Sequence, residues 1–378
     1  MKAGLKSLIA LLINLCVIVP HAAMAQSSPE NVTGKITGKN EDGSWHFEAR
    51  DNLQANEKQY YAGMKQQLLR IFSAATQVPV LDPPKGFDVD PSLAVYCDLD
   101  PVFSLHDSRG DAGRDPIQGV ISMPGFNYYR NQYSHKIKKH EESHGGLDLY
   151  VNDVSKILYD KFKNECSDAG VPLFFFLPDI TSKSTGKIII GDRVIILKEK
   201  GRPVFTPLTK QGIMQFMIRK MKHDLPGLED DVRENKDNLV GYLKMAKQYQ
   251  DSKTEALYRK NIVAAENKVD SANRMILNYQ NSLAKMARLE RQAPVYVVRD
   301  FNDPDFDYYK LSASSAKGAK ELYTFNPNYY SPALPRSAIQ LIVVGYHASN
   351  FCPSFMKERL RDWFQQINYS RLTEVITK

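Results

Sequence analysis

Apolar residues recur along this chain at helical and strand spacings in turn. Tyr60, Met64, Leu68 and Phe72 fall every fourth residue, which puts them on one face of a helix over residues 56–75. Pro79 and the Asp82-Pro83-Pro84 cluster end it. The apolar run at 117–123, the alternating Leu147, Leu149 and Val151, and the short run at 173–177 predict strands. Between the last two, Asp153 can cap an amphipathic helix that turns Val154, Ile157, Leu158 and Phe162 inward. Residues 187–197 predict a β-hairpin, because two β-branched runs flank Gly191-Asp192, a turn pair suited to twisted strands. Thr209 can cap a helix bearing Ile213, Phe216, Met217 and Met221, which Pro226-Gly227 is expected to break.

Residues 228–292 differ in kind, with many charges, no proline and Gly241 as the lone glycine. Tyr258, Ile262, Ala265, Val269, Ala272, Ile276, Tyr279, Leu283 and Met286 alternate in steps of four and three, a heptad seam. Leu239, Leu243, Ala246 and either Tyr249 or Gln250 mark a preceding helical face, and Ser252 with Glu255 forms a capping box between the two. An antiparallel helical hairpin with unequal arms follows. After Pro294, strand signals return at 295–298 and 338–344. A closing helix begins near Pro353, with Met356, Leu360, Trp363, Phe364 and Ile367 on its apolar face.

Strands on both sides of a helical segment predict an α+β fold: a mixed or antiparallel sheet with packed helices and an inserted, coiled-coil-like helical hairpin. The expected divisions are a signal peptide over 1–25, a flexible leader over 26–41, an α+β domain over 42–208 completed by 293–378, and the helical segment over 209–292. Lys2 and Lys6 precede an apolar run too short to span a bilayer, and Ala23-Met24-Ala25 offers a signal-peptidase site. These features predict export, with cleavage near Ala25 and no later transmembrane segment. Loss of Lys2 and Lys6 would lower the formal charge from +7 to +5, too mild for a dedicated nucleic-acid face. Cys97, Cys166 and Cys352 would remain, an odd number that leaves the pairing open.

The chemically specific pattern is His140-Glu141-x-x-His144, which resembles the metal-binding motif of zincin peptidases. In that arrangement two imidazoles on one helix face hold zinc and the glutamate activates a bound water. Glu165, 21 residues beyond His144, is the candidate third ligand, and Tyr129, Tyr133 and Ile137 would give the helix an apolar face. The context points elsewhere. Lys138, Lys139 and Glu142 surround the histidines, and Gly145-Gly146 with the strand-like LDLYV follow at once. That pattern reads as a charged turn between two strands, with metal, if any, bound by His135, His140 and His144.

Weaker patterns complete the inventory. Asp303, Asp305 and Asp307 alternate like a calcium loop but lack its glycine. Tyr308, Tyr309, Tyr323, Tyr329 and Tyr330 are a candidate ligand surface, suited to stacking on sugars, with burial against the sheet as the alternative. The expectation is a non-enzymatic binding or structural module of a bacterial envelope, without cofactor, meeting a protein partner through the 228–292 hairpin. The rival is a zinc-dependent peptidase.

Overall fold

The computed structural model describes residues 28–49, 58–96, 116–157, 174–176, 180–184, 186–190, 193–197, 202–245, 252–298, 311–326 and 328–376. In chain order the elements are β1 (Phe47–Ala49), α1 (Lys58–Thr76), β2 (Phe87–Val89), β3 (Ser92–Tyr96), β4 (Gln118–Arg130), β5 (Ile137–Lys139) and β6 (Gly145–Val151). Next come β7 (Phe174–Phe176), β8 (Ile180–Ser184), β9 (Lys187–Ile190), β10 (Arg193–Leu197) and β11 (Phe205–Pro207). The hairpin helices α2 (Lys210–Met245) and α3 (Ser252–Lys285) lead to a single turn, α4 (Arg288–Arg291). The chain closes with β12 (Tyr296–Val297), β13 (Lys320–Phe325), β14 (Leu341–Ala348), α5 (Ser354–Gln366) and α6 (Tyr369–Val375).

The fold is α+β. The larger sheet runs β1-β3-β4-β6-β14-β10-β9-β8, with β2 and β5 paired to the far end of the long β4. Its pairings are antiparallel except β1 with β3. β14, from the C-terminal part of the chain, lies between β6 and β10. Along β4 the side chains alternate between buried and half-buried, the period-2 signature of a strand with one face on a core. Ile121 and Met123 of β4, Leu147, Leu149 and Val151 of β6, and Ile342 and Val344 of β14 build that core with α1, α5 and α6. α1 supplies Met64, Leu68, Ile71 and Phe72, each contributing about 1.5–3 kcal/mol by burial. At Gly119 a Cβ would come within 2.8 Å of the Leu68 Cδ2, so a larger residue there would force the buried Leu68 side chain to shift. Trp363 of α5 donates its indole N–H to the Ala75 carbonyl at the end of α1 (2.8 Å).

The opposite face of the sheet carries a second core at the β14-β10-β9 end. Val343, Ile195, Ile188 and Ile190 pack there against Ile213, Phe216 and Met217 of α2 and against a small sheet, β11-β13-β12 with β7. Thr209 caps α2 as its position predicts, accepting from the Gly212 N–H (3.0 Å).

α2 does not break at Pro226; it runs unbroken through it. Proline removes one backbone donor and disfavours a helical Leu225. Packing offsets that penalty on both sides. Ile213, Phe216, Met217 and Met221 anchor the first half in the second core, while Leu225, Leu228, Val232, Asn235, Leu239 and Tyr242 form a partly buried seam against α3. The two arms are therefore nearly equal at 36 and 34 residues. In α3 the seam positions from Tyr258 to Leu283 are the shielded ones, as the heptad spacing requires. In α2, Tyr242 rather than Leu243 completes the seam, its ring 5.6 Å from that of Tyr258. Lys236 bridges to Glu266 across the hairpin (2.8 Å).

Three further expectations change. The segment after Asp153 forms a 3-10 turn over Val154–Lys156, with Asp153 accepting from the Ser155 N–H; Leu158 and Phe162 lie outside the described residues. Tyr129 belongs to β4 and Tyr133 to the turn after it, not to a helix. The C-terminal segment is two helices, the second capped by Asn368, whose Oδ1 accepts from the Arg371 N–H (3.1 Å). The expected signal peptide (residues 1–25), Cys97, Cys166, Glu165, the Gly191-Asp192 turn, Asp303, Asp305, Asp307, Tyr308 and Tyr309 lie outside the described residues.

Candidate functional site

β4 outruns its neighbours, so its last three residues pair with β5 in a two-stranded extension: Tyr128 with Lys139, Tyr129 with Lys138 and Arg130 with Ile137. The chain then turns through residues 140–144 and enters β6 at Gly145. The His-Glu-x-x-His stretch therefore occupies a turn between two strands. The helix on which the zincin arrangement depends is not formed, because Gly145 and Gly146 are already committed to pairing with β4 and β14. The turn nonetheless brings the two histidines together. Their ring centroids are 4.5 Å apart, and His140 also packs on Tyr129 at 4.2 Å.

Buried Asn127 organises the pair. Its backbone carbonyl accepts from the His140 N–H (3.0 Å), and its side-chain Oδ1 meets His144 Nδ1 at 2.9 Å. Partial burial and the neighbouring His144 hold His140 below the usual imidazole pKa, against an opposing pull from Glu142. Glu141 and Glu142 are exposed, and no third His, Cys, Asp or Glu side chain converges with the two imidazoles among the described residues.

A second polar cluster lies further along the sheet. Ser122 of β4 stands opposite Asp148 of β6 and donates to its Oδ1 (2.7 Å); Tyr150 donates to Oδ2 (3.3 Å). His347 of β14 approaches the same carboxylate, Nδ1 to Oδ2, at 3.4 Å. Burial pushes Asp148 upward, but hydrogen bonds from His347 and Ser122 outweigh it and leave the carboxyl below its ordinary value. The bond to Asp148 holds His347 above its ordinary value despite partial burial. Tyr150 is raised well above the normal phenol range by burial and by Asp148. The residue types are those of a hydrolase triad, but the order is not. Ser122 is hydrogen-bonded to the carboxylate and not to the imidazole, so His347 is not placed to take its proton. The arrangement orients an imidazole and makes no activated serine.

Sequence reading missed this cluster. Its trace is nonetheless present: Ser122, Asp148 and His347 are polar residues at outward positions of three β-type runs. What the chain order conceals is that β14 lies beside β6, and hence that His347 reaches Asp148.

The tyrosine cluster divides. Tyr329 and Tyr330 are core residues with their hydroxyls tied to the carbonyls of Gln340 (2.7 Å) and Asn152 (2.6 Å), so their rings offer no face to a sugar. Tyr323 is half-buried and donates to Glu321 (2.6 Å), a bond that together with burial lifts its phenol to about 12.

No known protein family, curated protein or solved structure matches the chain. Among the described residues, no helix is long and apolar enough to cross a membrane.

Proposed function

We propose that this is an exported, non-enzymatic binding module of a bacterial envelope, which meets a protein partner through the end of its helical hairpin. One observation carries the reading. The seam between α2 and α3 is filled from both sides, and beyond Leu225 α2 packs no side chain on either core. Residues 226–245 and 252–271 therefore form an arm that reaches roughly 30 Å, at 1.5 Å per residue, and supports itself. Near its free end Val240, Leu243, Met245 and Leu257 stay exposed. A self-supporting arm with apolar side chains at its end suits docking, because binding there disturbs neither core.

The test places a photo-crosslinking residue at Met245 or Leu257, and for comparison at Phe351, which is more exposed than either but lies on the body. In cells that produce the protein, a discrete protein adduct is expected from the arm positions and is expected to vanish with Leu243→Lys. Adducts at Phe351 as strong as those from the arm, or none from the arm, would refute docking. Sequencing the N-terminus of the cell-envelope fraction tests export; a mature start at Gln26 is the expected result, and an intact precursor in the cytoplasm would overturn it.

A further inference from the structure

We propose that His140 and His144 form an open, two-imidazole site for a late first-row divalent ion such as Zn2+ or Cu2+, on the turn between β5 and β6. Geometry comes first. An imidazole nitrogen binds zinc at about 2.0–2.1 Å, which puts the ring centre roughly 3.2 Å from the metal. Two such rings stand roughly 4.5 Å apart for a right-angled nitrogen–metal–nitrogen arrangement and roughly 5.2 Å apart for a tetrahedral one. The 4.5 Å centroid separation of His140 and His144 equals the first value. The second needs an opening of roughly 0.7 Å, which a turn with exposed Glu141 and Glu142 can supply.

Asn127 supplies the orientation. Its Nδ2 turns toward the Tyr128 carbonyl (3.4 Å), so its Oδ1 faces His144 Nδ1. An amide oxygen can only accept, so Nδ1 carries the proton and the Nε2 lone pair of His144 is left for a metal. A fixed tautomer held by an outer hydrogen bond is the usual setting of a metal-binding histidine. Asn127 is itself buried and anchored in β4, so the imidazole is held by a rigid strand. The backbone bond from His140 N–H to the Asn127 carbonyl pins the second histidine to the same residue. Tyr129 backs the His140 ring and limits its rotation.

The ligand types decide the ion. Neutral imidazoles suit copper, zinc and nickel, whereas calcium and magnesium require oxygen donors. Two protein ligands leave coordination positions for water, so the ion is exchangeable and accessible. This differs from the peptidase arrangement, because it needs no helix and assigns Glu141 no role.

The test is equilibrium dialysis of the purified full chain against ZnCl2 and CuCl2, with CaCl2 as the contrasting salt. One ion per chain is expected for zinc and for copper, copper the tighter, with no calcium bound at the same site. His140→Ala and His144→Ala should each weaken zinc binding by at least about tenfold. His135→Ala, in the neighbouring turn, should leave it unchanged. His144→Gln, with urea curves for each variant, separates loss of a ligand from loss of fold. Zinc affinity that survives in the His140→Ala, His144→Ala double variant overturns the proposal, as does a loss in His135→Ala equal to theirs. Both outcomes leave the docking reading untouched, since the arm is not part of this site.

Discussion

Asn152 holds the entry of the central strands together, and its removal should be among the costliest single changes in the protein. It follows β6 with φ at 56°, a left-handed conformation that asparagine tolerates better than most residues. Its side chain, 1% exposed, makes four hydrogen bonds. Nδ2 donates to the carbonyls of Ile117 (3.0 Å) and Ala338 (2.9 Å), while Oδ1 accepts from the N–H groups of Gln340 (2.8 Å) and Leu341 (3.2 Å). These join the start of β4 to the start of β14 across the end of β6. Asn152→Ala removes all four. At about 1 kcal/mol net for each bond, plus about 1 kcal/mol for alanine in the left-handed region, the loss is roughly 5 kcal/mol. That is comparable to the whole stability of many domains, which runs about 5–15 kcal/mol.

Asn152→Gly separates the two contributions. Glycine accepts the backbone conformation, so its loss should be about 1 kcal/mol smaller than that of alanine. Equilibrium unfolding in urea, followed by the fluorescence of Trp45 and Trp363, reports on this, since both tryptophans pack in the first core. A loss below about 2 kcal/mol in both variants would show that the hydrogen-bonded wedge is not what joins the strands.

Two other perturbations test the fold and its electrostatics. Pro226→Ala restores a backbone donor in the middle of α2, and because Pro226 is exposed nothing is lost from a core; the arm should be stabilised by up to about 3 kcal/mol, read as slower amide exchange over residues 222–240, and faster exchange would contradict the account of α2. For the His347–Asp148 pair, the signs run in opposite directions. The raised His347 contributes fully below about pH 6.5 and loses its contribution as pH climbs through its higher folded value; the lowered Asp148 contributes above about pH 4 and loses its contribution as pH falls through its lower folded value. Stability should therefore decline as pH rises from about 6.5 through the raised His347 value more in the native protein than in His347→Gln, by well under about 1 kcal/mol because His347 is more than half exposed. Identical pH profiles would remove the ion pair from consideration.

Much of this architecture follows from local chemistry. The four-residue spacing of α1, the alternation of β6, the paired runs of β9 and β10 and the heptads of α3 are visible because burying one face imposes a period on the chain. The Thr209 cap is legible for a similar reason: a helix start needs a side-chain acceptor at a set offset. The sequence by itself thus determined the α+β class and the helical hairpin. Tertiary structure decided the rest. α2 continues through Pro226 because two packing surfaces outweigh one missing donor, a balance no local propensity contains. The turn at the zincin spacing is legible from its flanking charges and Gly145-Gly146, but that those glycines pair with both β4 and β14 is not. His140 and His144 meet through Asn127, 13 and 17 residues away, and His347 meets Asp148 across a sheet in which β14 lies beside β6. Such encounters depend on strand order and register, which are set by the global arrangement of two cores, so the residues are visible one by one in the sequence while their meeting is not.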